Sequence, residues 1–109
     1  MTDPRIERFR KLVERFPDRS PPRFSLARAL HDAGQHEEAA GLYADAYRLQ
    51  PDLMMAWLHA GECLLEIGRF DEAETVTQKA LALAKSQGHE SPQAEAIELL
   101  DEIEDLRGN

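Results

Sequence analysis

The chain has 109 residues, 42% hydrophobic and 31% charged, with a formal net charge of −8. That length suits one domain around one modest core; the acidity excludes nucleic acid and anionic membranes as partners, since both need a basic footprint, and the single Cys63 excludes an internal disulfide. Charge throughout residues 1–16, an opening Met1 and no apolar run near the ~20 residues of a membrane span set the expectation of a soluble cytoplasmic protein without a secretion signal.

The apolar residues follow helical spacing, not strand alternation. Ile6, Phe9, Val13 and Phe16 step by three and four, and Pro17 stops that first helix, expected over 5–17. Ser20 before Pro21 reads as a capping hydroxyl followed by a proline whose missing N–H costs nothing. The helix it starts carries Phe24, Leu26, Ala27 and Leu30, and Gly34 closes it. Glu37 and Glu38 open a third helix, where negative charge suits the dipole; it carries Ala39, Leu42, Tyr43, Ala46 and Leu49 and ends at Pro51. Asp52 is the expected cap of a fourth, through Trp57, Gly61 and Leu64 to Gly68, and a fifth runs from about Phe70 to Lys85. "SQGHES" reads as a loop, and Ser91–Pro92 starts a last helix over 91–106. Such short connections make neighbouring helices antiparallel.

A shift of 34 residues superposes much of this pattern. Gly34 meets Gly68, Glu38 meets Glu72, Ala39 meets Ala73, Ala46 meets Ala80, and Pro17 meets Pro51. Such a period signals stacked helical hairpins. In that frame Ala39, Ala46, Ala73 and Ala80 are small so that a partner helix can approach, as are Ala27 and Gly61. Gly34 and Gly68 turn the chain back, and Trp57 packs inside its own hairpin.

These residues resemble the tetratricopeptide repeat family, whose pattern is Trp-x-x-Leu-Gly-x-x-Tyr, a small Ala, an aromatic four residues on, another Ala, and a closing Pro. The second repeat reads Trp57-x-x-Ala60-Gly61-x-x-Leu64, then Gly68, Phe70, Ala73 and Ala80; the first reads Arg23-x-x-Leu26-Ala27-x-x-Leu30, then Gly34, Ala39, Tyr43, Ala46 and Pro51. Arg23 departs from the Trp slot, Thr77 from the aromatic slot and Lys85 from the Pro slot, and Ser91 starts the last helix three residues beyond two periods from Ser20. The resemblance implies an all-α superhelix of about six helices filling residues 1–109. It would comprise a half-repeat at 5–17, repeats at 20–52 and 53–86, and a capping helix at 91–106.

The resemblance also implies a concave groove lined by the first helix of each pair, here Phe24, Arg28, His31, Met55, Leu58, His59, Glu62 and Leu65. Phe24 and Leu58 follow the Trp slot and are expected to face the groove, so that Leu58→Asp should remove binding and leave the helices intact; the alternative is that the apolar last helix folds back over both. Family members that clamp the carboxylate end of heat-shock proteins use Lys and Asn where this chain has Phe24, Arg28 and His59, which argues against that subclass.

The expected function is therefore protein–protein interaction with a peptide or protein segment bearing apolar anchors and basic residues, without enzymatic activity or cofactor. No acid/base pair, phosphate loop or nucleophile triad is visible. His31, His36, His59 and His89 lie in separate elements without ligand spacing, so no metal is expected, although His31 and His59 could share a face with Glu62 or Glu66 as a cryptic site. The alternative is homodimerisation through the terminal helices. Ala96, Leu99, Ile103 and Leu106 have the spacing of a two-helix seam. Residues 1–28 carry +4 against −12 for residues 29–109, so the basic start and acidic end could meet within one chain or between two.

Overall fold

The computed structural model describes residues 3–108. Six helices follow one another: α1 (Pro4–Arg15), α2 (Ser20–Asp32), α3 (His36–Leu49), α4 (Met54–Glu66), α5 (Phe70–Gln87) and α6 (Glu90–Arg107). The described residues contain no strand, and no described helix is long and apolar enough to cross a membrane. Each helix packs on the next, and α4 also touches α6.

The turns show the period most directly. Gly34 (φ 78°) and Gly68 (φ 77°) are left-handed. Gln35 N–H donates to Leu30 O at 2.8 Å, and its counterpart Arg69 N–H donates to Leu64 O at 2.9 Å, closing both helices by the same device. The expected caps differ. Asp3 caps α1 by accepting from Arg5 N–H. Ser20 is already helical, and its hydroxyl donates across the hairpin to Gln50 Oε1 at 2.5 Å. Asp52 and Ser91 cap nothing either: no side chain caps α4 or α6. Instead, Trp57 Nε1–H donates to Pro51 O and Gln87 Nε2–H to Asp52 O, each at 2.9 Å, so side chains from α4 and α5 hold that turn. The "SQGHES" loop contracts to Gly88 and His89, because Gly88 takes a left-handed φ of 74° directly after α5.

The core is built where small residues let helices meet. Ala27, Ala39, Ala46, Ala73 and Ala80 are all wholly buried. At Gly61 the approach is closest. A Cβ there would collide with Thr77 Oγ1 and lie 3.3 Å from Leu99 Cδ2. Thr77, in the second repeat's aromatic slot, fills the space that a Cβ at Gly61 would take. Trp57 bridges the hairpins: it lies flat on Tyr47 of α3 (centroids 3.6 Å apart, planes 7° apart), with the Lys79 ammonium 5.9 Å from its ring. It is half-buried, not enclosed in its own hairpin.

Nine of the thirteen α4 residues are buried, against none in α1, so α4 is the centre of the stack and α1 a flap along α2. The terminal helices do not meet as a basic start and acidic end. Arg10 pairs with Glu38 of α3 at 2.7 Å, Arg5 with Asp32 of α2 at 3.4 Å, and Arg107 with Asp71 and Glu74 of α5 at 3.0 and 2.9 Å. Among the described residues no ion pair joins α1 to α6. The expected dimer seam is also consumed internally. Ala96, Leu99 and Ile103 are buried within the chain, and Leu106 alone stays exposed at 57%.

Gly61→Ala is expected to lower stability in urea. Overpacking costs about 1–3 kcal/mol and outweighs the helix-propensity gain of about 1 kcal/mol. Thr77→Ala removes the colliding atom, so the double variant should lose less than the two single losses combined. Strict additivity would place the strain elsewhere.

Candidate functional site

The side chains that the sequence assigns to a groove lie on α2 and α4, but only some can receive a partner. Phe24 and Met55 are half-buried and Arg28 is exposed. Leu58, at 1% exposure, and Leu65, at 7%, belong to the core. The expectation for Leu58 is thereby corrected: α4 is packed by α3, α5 and α6, so the residue after Trp57 is enclosed too. Leu58→Asp would bury a charge and unfold the protein, and so reports nothing about binding.

A polar and aromatic cluster occupies the rest of this face. The Phe24 ring stands edge-on to Tyr43 at 5.5 Å and lies 6.1 Å from His59. His59, nearly buried, lies 3.3 Å from Arg28 Nη1 and 2.5 Å from Glu62 Oε1. A guanidinium can only donate, so His59 Nε2 accepts from Arg28, and Nδ1–H donates to Glu62. Half-buried His31 sets Nδ1 3.1 Å from the Tyr43 hydroxyl. Its ring is 5.6 Å from that of His36 and 5.7 Å from that of His59.

Three members of the cluster escaped the site reading. In the sequence Tyr43 stands only as a repeat position, His36 as one of four scattered histidines and Cys63 as the lone cysteine. The α2–α3 turn swings His36 back beside His31, and Cys63 follows Glu62 on the same side of α4. Their approach has no signal in the order of the residues.

Two cavities flank this region. One of about 240 Å³ is lined by His31, His36, Glu62, Glu66, Leu99 and Glu102, between the α2–α3 turn, α4 and α6. The larger, about 490 Å³, lies on another side between α3 and α5, over Ala40, Gly41, Ala44 and Leu64. Its floor is made of small side chains and its rim of charges of both signs, Glu37, Arg48, Arg69, Asp71 and Glu72, whereas the smaller cavity gathers histidines and carboxylates.

Burial pushes the Cys63 thiol up to about 12, with the Glu62 and Glu66 charges adding to the shift. It is therefore held as a thiol and is no nucleophile. Burial carries His31 below its ordinary value; Glu62 opposes this, and the charges of His59, His36 and Arg28 add to it. Burial would raise the Glu62 carboxyl, but the His59 hydrogen bond and the His59, His31 and Arg28 charges bring it below its usual range. The arrangement offers aromatic, cationic and anionic contacts side by side, and is equipped for binding.

The comparisons with known proteins agree with the architecture. A family model described as tetratricopeptide repeat matches residues 6–53 and 24–88. PcrH, solved in complex with the chaperone binding region of PopD, is 25% identical, with a TM-score of 0.87 over 94% of this chain and 77% of that one. SycD of Yersinia enterocolitica, a type III secretion chaperone solved with a peptide of the translocator YopD, is 22% identical, with a TM-score of 0.85 over 94% and 79%. The TPR2B domain of yeast Sti1, in a pHsp70 complex, is 15% identical, with a TM-score of 0.85 over 93% and 81%. Among curated proteins none matches the sequence.

The shifts fix a pH dependence. Both lowered groups favour the folded state when deprotonated. The His31 contribution is complete above its ordinary pKa of 6.5 and is lost as pH falls below it; that of Glu62 is complete above 4.5 and goes only in stronger acid. The urea midpoint should therefore fall between about pH 7 and pH 5, and His31→Gln should shrink that fall. An unchanged pH profile in the variant would remove His31 from the account.

Proposed function

Because the chain belongs to the tetratricopeptide repeat family, we propose that it captures a peptide or protein segment of a partner on the face of α2 and α4. The observation that carries this reading is the pair Phe24 and Met55, apolar yet only half-buried on the first helices of successive hairpins, beside the row Arg28, His59 and Glu62. Half-exposed apolar side chains among fixed polar groups suit a segment that inserts side chains and aligns its charges. PcrH, solved with the chaperone binding region of PopD, and SycD, solved with a peptide of the translocator YopD, support the same use of the fold.

The partner's chemistry follows from the charges. Glu62, Glu66 and Glu102 face the cavity at one end of the face, and Arg107, the one basic residue of α6, is held by Asp71 and Glu74. Arg28 is itself paired with Asp32 and donates to His59, so a segment with apolar anchors and Lys or Arg fits better than an acidic tail. On this reading residues 20–52 and 53–86 are the two full repeats, 5–17 a half-repeat and 91–106 the cap. The protein would act as a non-enzymatic scaffold in the cytoplasm, where the free, buried Cys63 is stable.

A second reading is self-association. The basic α1 and acidic α6 pack on different partners, α1 on α2 and α6 on α5 and α4, and each leaves a large apolar side chain outside, Phe16 at 41% and Leu106 at 57%. α1 of each copy resting on α6 of the other would make a two-fold homodimer.

Peptides selected from a random library should be apolar and basic. Phe24→Ala and Glu62→Lys should each weaken their binding by about tenfold, near 1.4 kcal/mol, and Arg48→Glu on the α3–α5 cleft should not. The opposite pattern would move the site to that cleft. For self-association, light scattering should show mass rising with concentration and falling with salt; a monomer indifferent to both sinks the second reading.

A further inference from the structure

One cluster is unused by segment binding. His31 at the end of α2, His36 at the start of α3 and Cys63 on α4 each bring a ligand atom within 4.8 Å of the other two. We propose that these three side chains form a Zn²⁺ site, with the fourth position open to the adjoining cavity.

The donor chemistry favours this trio over its neighbours. His31, His59 and Glu62 are equally close, but both His59 nitrogens are engaged, one of them by the Arg28 guanidinium, whose charge repels a cation. No guanidinium is hydrogen-bonded to the first trio, although the Arg28 charge still reaches His31. If His31 donates from Nδ1 to the Tyr43 oxygen, 3.1 Å away, its Nε2 lone pair is free, and Tyr43 becomes the outer partner that fixes the ring. His36 Nδ1 is sealed from solvent and has no hydrogen-bond partner. Buried polar atoms are rarely left so, and a bound ion would satisfy it. Two imidazoles and a thiolate match the borderline-soft preference of zinc, which holds such donors about 3.4–3.7 Å apart in a tetrahedron. Side-chain adjustments of about an ångström close the trio.

The cavity supplies access. It is about 240 Å³ in volume, and Glu62, Glu66 and Glu102 line it beside His31 and His36, an acidic mouth that draws cations in. Binding displaces the Cys63 thiol proton to solvent as the Zn–S bond forms, so affinity rises with pH. The thiol otherwise stays protonated, and metal charge is what the site lacks.

The test is titration of tag-free full-length protein with Zn²⁺ and Co²⁺ in the absence of peptide. The expected result is one equivalent bound, a higher melting temperature, and a near-ultraviolet thiolate-to-cobalt band. Cys63→Ala should abolish the band, and His36→Ala should weaken binding by about tenfold or more while apo helicity is unchanged. His89→Ala should do neither. Wild-type protein that binds no Zn²⁺, or that binds Co²⁺ without the charge-transfer band, overturns the proposal. So does a Cys63→Ala variant with wild-type affinity. None of these results depends on whether peptides bind the α2–α4 face.

Discussion

The constraint on which the stack depends is the approach of α5 to α4 at Gly61, the one glycine of the described residues at which a Cβ would meet other atoms. Thr77 Oγ1 lies where a Cβ at that position would stand, and Leu99 Cδ2 would be in tight contact with it at 3.3 Å. A missing side chain on one helix therefore sets how near its partner lies, and the wholly buried alanines repeat the arrangement through the stack. Interiors pack near crystal density, so this approach draws α4 inward until most of its surface is covered. The burial of Leu58 and Leu65 follows from it, and so does the narrowness of the face left for a partner.

That narrowness concentrates the polar chemistry. With α4 enclosed, its face toward α2 retains His59, Glu62 and Cys63, spaced so that all three lie on one side of the helix. They meet His31 and Tyr43 from the first hairpin. Several of their polar atoms are held by specific neighbours: Arg28 and Glu62 on His59, Tyr43 on His31 Nδ1. A low local dielectric makes such contacts strong and their absence costly. On this face the uncompensated His36 Nδ1 and the protonated, buried Cys63 thiol are left open by the protein's own contacts, as Thr77 Oγ1 and Arg107 Nε are elsewhere. The same desolvation that shifts His31 links this face to fold stability, since protonating it opposes the buried arrangement.

The ends of the stack obey different physics. α1 has no fully buried residue and holds on through half-buried side chains and exposed ion pairs, which contribute little each. α6 buries Ala96, Leu99 and Ile103 and pins Arg107 to α5. Spacing like that of a dimer seam thus serves as an intramolecular cap: heptad-like spacing states that a helix needs a partner, and not which one.

Helix positions were legible because they depend on local rules. Apolar spacing, Pro17 and Pro51 as stops, and Gly34 and Gly68 as left-handed turns act within a few residues of themselves. The recurrence at 34 residues then dictated stacked hairpins and the close approach at the alanines and Gly61. The capping reading of Ser20, Asp52 and Ser91 was not reliable, since those side chains choose between a local backbone and a distant partner, as Ser20 does with Gln50. For the proposed site, the sequence by itself pointed to α2 and α4, and Phe24, Arg28, His59 and Glu62 lie together there. Only the tertiary structure decided that Leu58 and Leu65 belong to the core and that His36 and Cys63 come beside His31. Burial and ligand geometry are sums over neighbours from several helices, and no period within one helix contains them.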